Sequence, residues 1–458
     1  MLKTRFAGQS RDICSGPMLG NIVFFAIPIV LSGFLQLLYN AVDLVVVGRY
    51  CGELYVAAVG ATAVLINLIV NVFIGFSVGV NVTVANLLGA GKHKEASRAV
   101  HTAVAFALIC GIAVGVIGFL SSSPLLKVMS TPDNVIDLAS LYVKIYFLGS
   151  PANIMYNFLA AVLRAKGDTK RPLYILTVSG LINVVLNVWF VASFKMGVAG
   201  VAISTVISQY VSAILVLLVL MRSYDCCIVH IKEIRIDGKA LKSIVRIGLP
   251  SGIASSFFNI SNSIIQTATN SFNSSAVIAG STAAANIEGF VNIGMDAVAQ
   301  AVITFVGQNK GAGKYDRVGK TVKICALISI ISGVVIGTLV TVFARPLLSI
   351  YLPGEEEAIL CGIVRVRYMC STFFILGLMN IYSGALRGFG SSIAPTVVQV
   401  AGVCGIRFVW IFTVFKKYHT LDALFATYPI TWVFTAAALI FVFYKIKNEE
   451  ERIVGFRK

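Results

Sequence analysis

Charged residues are scarce in this chain of 458 residues. They make up 12% of the sequence, whereas hydrophobic residues make up 57%. A typical soluble domain is roughly a quarter charged. Apolar runs of about 20 residues, the length that crosses a bilayer, recur along the whole chain. These features exclude a soluble enzyme or binding module and predict a polytopic membrane protein.

Motifs for several other kinds of chemistry are also missing. The nine cysteines form no CxxC pair and show no Cys/His spacing, so we interpret them as small apolar residues rather than disulfide or metal sites. The string GAGK at 89–92 lacks the spacing of a phosphate-binding loop. We find no HExxH, DDxxD or Ser/His/Asp grouping, and no nucleotide-binding domain. We therefore expect neither an enzyme nor an ATP-driven protein, and no cofactor.

The apolar runs predict an all-α polytopic membrane protein with twelve transmembrane helices. The predicted spans are 20–48, 54–85, 97–119, 136–162, 173–193, 198–222, 242–271, 277–307, 318–343, 358–386, 394–415 and 421–445. Most of the 37 lysines and arginines fall in the terminal segments and the even-to-odd connections. The positive-inside rule then places both termini in the cytoplasm of a cell membrane protein. The net charge of +17 is spread over these short segments, which disfavours a nucleic-acid partner. The polar N-terminus and long first span predict no cleavable signal peptide.

The two halves of the chain repeat each other at an offset of 222 or 223 residues. The matching pairs are GAGK at 89–92 and 311–314, Pro28 and Pro250, Asn157 and Asn380, and LRAKGDTKRP at 163–172 with LRGFGSSIAP at 386–395. We interpret this register as a duplication of six spans. It predicts a six-helix lobe at 1–222, a cytoplasmic connecting loop at 223–241 and a second six-helix lobe at 242–458. The lobes are expected to be related by an axis along the membrane normal, with a substrate cavity between them.

The first span carries one carboxylate, Asp43, near its far end. Gln36, Tyr39 and Asn40 precede it by seven, four and three residues, so they share its helical face. An acid on an apolar helix costs at least about 2.5 kcal/mol at the bilayer centre, and it usually faces water or a partner. Two interpretations stay open. Asp43 either lies beside Arg49 in the headgroup region, or it forms part of a proton or cation site.

Polar residues on the fifth and sixth spans are predicted to lie at a depth similar to that of Asp43. Asn183 and Asn187 are one turn apart on the fifth span, and Thr205 lies on the sixth. A carboxylate surrounded by amide and hydroxyl oxygens suits a proton or a hard monovalent cation, so these four residues are a possible Na⁺ site. Hydrogen bonding between helices is an equally open alternative.

The second half is not a chemical copy of the first. Ile265 stands at the position equivalent to Asp43. The eighth span instead carries a polar stripe at steps of four residues: Glu288, Asn292, Asp296 and Gln300. We expect its acids and Asn292 to contribute to ion coupling or substrate binding. Arg407, within the eleventh span, is the expected partner of one of the acids in a structural ion pair.

Several of these motifs together resemble the multidrug and toxic compound extrusion (MATE) family. They are PIxxxxxxQxxYNxxDxxxVGRxxG at 28–52, the two GAGK loops, LRxxGD at 163–168 and VGQNKGAG at 306–313. The resemblance implies an antiporter that exports amphipathic, often cationic compounds by alternating access in exchange for Na⁺ or H⁺. Its expected partners are these small molecules and membrane lipid, and we expect a monomer. The alternatives are a flippase or exporter of lipid-linked or other metabolite substrates in the wider superfamily, and a polytopic membrane enzyme.

The resemblance also implies roles for individual residues. In prokaryotic relatives the cation site uses an Asp on the first helix, an Asn and an Asp four residues apart on the fifth, and a Thr on the sixth. Asp43, Asn183 and Thr205 match this set, but Asn187 stands where the second acid is expected. The missing carboxylate favours H⁺ over Na⁺ as the coupling ion and leaves both possible.

Overall fold

A computed structural model describes residues 13–129 and 131–455. The basic N-terminal residues 1–12 and the last residues 456–458 lie outside this part of the chain. Within the described residues the protein is helical and contains no β-strand. The predicted all-α architecture is therefore confirmed.

Twelve helical segments follow the order of the predicted spans. In the first half they are α1 (Met18–Cys51), α2 (Glu53–Gly89), α3 (His93–Val128), α4 (Asp133–Leu148 with Ser150–Ala165), α5 (Lys170–Ser193) and α6 (Gly197–Met221). In the second half they are α7 (Gly238–Asn270), α8 (Ser275–Gly311), α9 (Tyr315–Val342), α10 (Glu356–Cys370 with Phe373–Gly388), α11 (Ile393–Tyr418) and α12 (Leu421–Arg452). Short helices at Ile231–Glu233 and Ala344–Tyr351 lie between them.

Most of these helices are long and apolar enough to cross a membrane. Among the described residues, nine helices are long and apolar enough by themselves. The number rises to eleven if each two-part helix counts as one span. The remaining helix, α7, has 33 residues, about 50 Å, so it is long enough. Its many Ser, Thr and Asn residues make it the least apolar of the twelve. With α7 the predicted twelve-helix membrane architecture is complete.

Two helices are bent at equivalent positions of the two halves. The two parts of α4 meet at 48° and those of α10 at 44°. The bend in α4 follows Gly149, whose own Cβ, if present, would lie 2.2 Å from Gln209 Oε1. Pro151, two residues after Gly149, lacks a backbone N–H, so the helix hydrogen bonding is interrupted there. The sequence predicted a single span in each place, 136–162 and 358–386, without a bend.

Glycines repeated at an offset of 222 residues allow close contact between neighbouring helices. On α3, a Cβ at Gly111 would lie 2.4 Å from Pro151 Cα, and one at Gly115 would lie 3.1 Å from the Phe147 carbonyl oxygen. On α9, a Cβ at Gly333 would lie 2.7 Å from a backbone atom of α10, and one at Gly337 would lie 2.1 Å from another. Small residues allow the backbones of neighbouring helices to approach closely. In lipid no hydrophobic force drives helices together, so this close packing helps to hold them.

The chain forms two compact units whose boundaries fall inside helices. The first unit is Ile27–Leu249, and the second is Ile13–Ala26 together with the chain from Pro250 onward. The N-terminal end of α1 therefore belongs to the unit built by the second half, where Phe25 packs edge-on against Phe305 at 5.6 Å between ring centroids. The N-terminal end of α7 belongs to the first unit.

Candidate functional site

Three helices of the first unit bring Asp43 together with three polar side chains in one series of hydrogen bonds. The amide nitrogen Nδ2 of Asn187 donates to Asp43 Oδ1 and, at 3.3 Å, to Asn183 Oδ1. Asn183 Nδ2 lies 3.5 Å from Thr205 Oγ1, and the Thr205 hydroxyl donates to the Val201 carbonyl at 3.0 Å. The series thus links α1 to α5 and α5 to α6.

Burial explains why the series is continuous. The side chain of Asn187 is fully buried and that of Asn183 nearly so, whereas Asp43 is half-buried. Buried amides without partners are costly in an apolar surrounding, so each amide is stabilised by the next group. The sequence placed these four residues at similar depth, and the structure brings them into contact. Their role in ion coupling stays a prediction.

Tyr39 packs α1 against α5 one turn before Asp43. A Cβ at Gly180 would lie 1.8 Å from the Tyr39 Cζ atom, so only glycine leaves room for the ring. The Tyr39 hydroxyl donates to the Leu176 carbonyl at 3.4 Å. Gln36 and Asn40 share the helix with Tyr39 but are exposed, and the structure does not bring them into the hydrogen-bonded series.

One buried oxygen of the series has no partner among the described residues. It is Oδ1 of Asn187, whose Nδ2 already donates to Asp43. An amide beside a carboxyl group can donate N–H to the carboxylate or, turned over, accept the O–H of the protonated acid. Asn187 can therefore pair with Asp43 in both of its protonation states. A bound Na⁺ would instead need several oxygens to converge, and those of Asn183 and Thr205 already accept N–H groups.

The acid Glu288 of the second unit is held in a closed ion pair with Arg365 of α10. Nε and Nη2 of the guanidinium lie 2.9 Å from the two carboxylate oxygens, and Nη1 donates to Ser281 Oγ at 2.8 Å. Both charged side chains are buried. The prediction that Arg407 pairs with an acid is wrong, because Arg365 lies on the face of α10 that packs against α8.

Arg407 lies in the second unit beside polar and aromatic groups. Its Nη1 donates to Asn262 Oδ1 at 2.8 Å and to Ser261 Oγ at 3.2 Å. The centre of its guanidinium lies 4.3 Å from the ring centroid of Tyr428 and 5.6 Å from that of Phe258. No acid contacts it among the residues that the structure describes.

The remaining members of the polar stripe on α8 are less buried than Glu288. Asn292 is half-buried and Asp296 is exposed, near the middle of the helix. No hydrogen bond or ion pair joins Asp296 to another described side chain. An acid at this depth is costly in lipid, so Asp296 requires water or a polar group beside it. Of the two acids on the stripe, Glu288 is held in an ion pair, whereas Asp296 has no side-chain partner among the described residues.

Comparisons with known proteins show the family and the fold of the chain. The MatE family matches the chain twice, over residues 28–189 and 250–413, in the register of the internal repeat. Two relatives from Bacillus subtilis (strain 168) are similar over nearly their whole length. "Probable multidrug resistance protein YoeA" is 28% identical over 94% of this chain and 95% of its own. "Probable multidrug resistance protein YpnP" is 26% identical over 87% of this chain and 89% of its own.

The chain is also similar to solved structures. "Crystal structure of MATE in complex with MaL6" covers 96% of this chain and 98% of its own, with a TM-score of 0.89 at 19% identity. This likeness shows the same fold.

Proposed function

The chain belongs to the MatE family of membrane transporters, and from that premise we propose that it is a cation-coupled antiporter that exports amphipathic, often cationic compounds by alternating access. The names of the relatives from Bacillus subtilis support export of many drugs. The match extends over both halves of the chain, so the proposal applies to the whole transporter.

The observation that carries the proposal is the contact of Asp43 with Asn187. Asp43 is the only carboxylate on α1, and its partner is a fully buried amide with a second, unpartnered polar atom. A carboxyl group that must change its charge during a transport cycle needs a partner for each state. Asn187 supplies both partners without any other side chain entering the site.

A proton fits this site better than a sodium ion. Sodium binding gains from each full negative charge, and Asp43 is the single acid in the series. The Asn183 amide oxygen and the Thr205 hydroxyl already accept N–H groups, which leaves the Asn187 amide oxygen as the unpartnered acceptor among the described members of the series. Protonation instead needs one acid and one neighbouring group that can hydrogen bond to both the charged and the protonated form of the acid. We therefore propose H⁺ as the coupling ion, which neutralises Asp43 when it binds and restores the carboxylate when it leaves.

The proposal can be tested with the purified full-length chain in liposomes. Efflux of a fluorescent cationic dye is measured under a pH gradient alone and under a Na⁺ gradient alone. We expect the pH gradient to drive efflux and Asp43→Asn to abolish it. Glu53→Gln, which removes an exposed acid at the start of α2, is the matched control and should retain efflux. Efflux that needs Na⁺ and ignores pH would contradict proton coupling, and absence of efflux under both gradients would contradict the transport proposal.

A further inference from the structure

Two buried arginines of the second unit use the same donor groups differently. Arg365 binds the Glu288 carboxylate with Nε and Nη2, each at 2.9 Å, while its Nη1 donates to a serine hydroxyl. Arg407 also donates from Nη1 to a serine hydroxyl, that of Ser261. Its Nε and Nη2, however, have no hydrogen-bond partner among the described residues. The edge that holds a carboxylate in Arg365 is therefore unpaired in Arg407.

Among the described residues, no acid forms an ion pair with Arg407 to balance its charge. Its side chain is 1% exposed, and a guanidinium stays protonated in proteins. A buried charge normally requires an opposite charge, because the loss of hydration costs several kcal/mol. Asn262 and the Tyr428 ring contribute partial negative charge only. A group with a full negative charge and two oxygens in one plane would satisfy both the free edge and the charge.

From this geometry we propose that Arg407, together with Asn262, Ser261 and the Tyr428 ring, forms a subsite for the carboxylate group of a transported molecule. The inference rests on the transport function proposed above and narrows its substrate class. A single guanidinium balances one negative charge, which matches a carboxylate. Substrates that carry a carboxylate on an amphipathic body, including zwitterions, should therefore be recognised in the second unit.

The depth of Arg407 in the membrane identifies the source of the carboxylate. Arg407 lies 14 residues after the start of α11 and 11 before its end, about 21 Å and 16 Å along the axis. Lipid headgroups lie at the edges of a hydrocarbon core about 30 Å thick, so they do not reach this position. The anion is a molecule that enters the protein interior.

The local structure of α11 offers a way to admit such a group. The short α-helical segment Ile406–Trp410, which contains Arg407, lies between two π-helical stretches, Val400–Gly405 and Ile411–Phe415. π-Helical turns are rare, and they often occur at functional sites. Asn262, which contacts the guanidinium, is partly exposed. A movement of α11 beside Asn262 would uncover Nε and Nη2 of Arg407.

The test compares two dyes that differ in one group, a rhodamine with a free carboxylate and its methyl ester. Binding is measured by fluorescence polarisation with the full chain in detergent, without any gradient. We expect Arg407→Gln to weaken binding of the acid about tenfold or more and to change binding of the ester less than twofold. Arg345→Gln, which removes an exposed arginine, is the control and should change neither. Equal loss for both dyes, or no loss for the acid, would overturn the subsite.

Two further measurements keep the proposal testable if Arg407→Gln does not fold. Arg407→Lys keeps the charge but loses the two-nitrogen edge, so it should lose most of the preference for the acid. In the natural chain, benzoate should raise the unfolding temperature with increasing concentration, whereas the neutral benzamide should not. Equal effects of benzoate and benzamide would overturn the subsite. Carboxylate binding without coupled efflux would instead contradict the transport proposal and leave the subsite intact.

Discussion

The side chain of Asn187 donates a hydrogen bond to Asp43, while its own amide oxygen is buried without a partner among the described residues. This relationship joins α1 to α5 at the one acid of α1. It provides one donor for the carboxylate and, after rotation of the amide, one acceptor for the protonated acid. The first two predictions examine the two members of this pair.

Asp43→Asn should abolish coupled efflux while leaving membrane insertion and folding intact. The amide keeps the shape of the side chain and can still hydrogen bond to Asn187, but it cannot take up a proton. Transport of a cationic dye by vesicles containing equal amounts of the natural and variant chains is the measurement. Undiminished efflux by well-expressed Asp43→Asn vesicles would remove Asp43 from the coupling mechanism.

Asn187→Asp should raise the dependence of efflux on Na⁺. The substitution restores a second carboxylate beside Asp43, and two acids attract a cation more strongly than one. The measurement is the ratio of efflux under a Na⁺ gradient to efflux under a pH gradient, compared with the natural chain. Asn157→Asp, a change of the same kind on α4, serves as the control. A natural chain that already requires Na⁺ would show the preference for H⁺ to be wrong.

The helices and the members of the Asp43 series could be predicted because both follow from local patterns. Long apolar runs fix the helices, and the spacing of Asn183 and Asn187 by one turn fixes their common face. Depth along the spans then placed Thr205 near them. Each inference needs only the position of a residue along its own helix.

Features that depend on how helices are rotated against each other could not be predicted in this way. The sequence gives no sign that Glu288 meets Arg365 rather than Arg407, because the choice depends on which face of α10 packs on α8. The bend after Gly149 depends on close contact with Gln209 of another helix. The boundaries of the two units inside α1 and α7 likewise arise from packing of distant parts of the chain.

Gly180→Ala should loosen the contact of α1 with α5. The added methyl group would lie 1.8 Å from the Tyr39 ring, so the ring must move away, and overpacking of this kind costs about 1–3 kcal/mol. The unfolding temperature in detergent is the measurement. Gly60→Ala, where a methyl group meets no atom within 4 Å, is the control. In a Tyr39→Ala background the effect of Gly180→Ala should be small, and an undiminished effect would exclude this contact as the cause.

Glu288→Gln should destabilise the protein strongly. The substitution leaves the Arg365 guanidinium buried without its counter-ion, and breaking a buried pair typically costs about 3–5 kcal/mol. Glu356→Gln, which breaks the exposed pair with Arg345, should cost less than about 1 kcal/mol. The two unfolding temperatures are compared in the same detergent. Similar shifts for both variants would show that Glu288 is not held as the structure describes.

The segment between α6 and α7 holds two adjacent cysteines, Cys226 and Cys227. A hydrogen bond from the Cys227 thiol and the neighbouring His93 lower the pKa of the Cys226 thiol to about 6. The pKa of the Cys227 thiol is raised by the same hydrogen bond and by burial. Because the thiolate is the reactive form, Cys226 should be alkylated by iodoacetamide at nearly full rate at pH 7, with half the rate near pH 6. Peptide mapping by mass spectrometry identifies the labelled residue, and His93→Gln should shift the midpoint upward. A midpoint near 8.5, the value of a free cysteine, in the natural chain would contradict this arrangement.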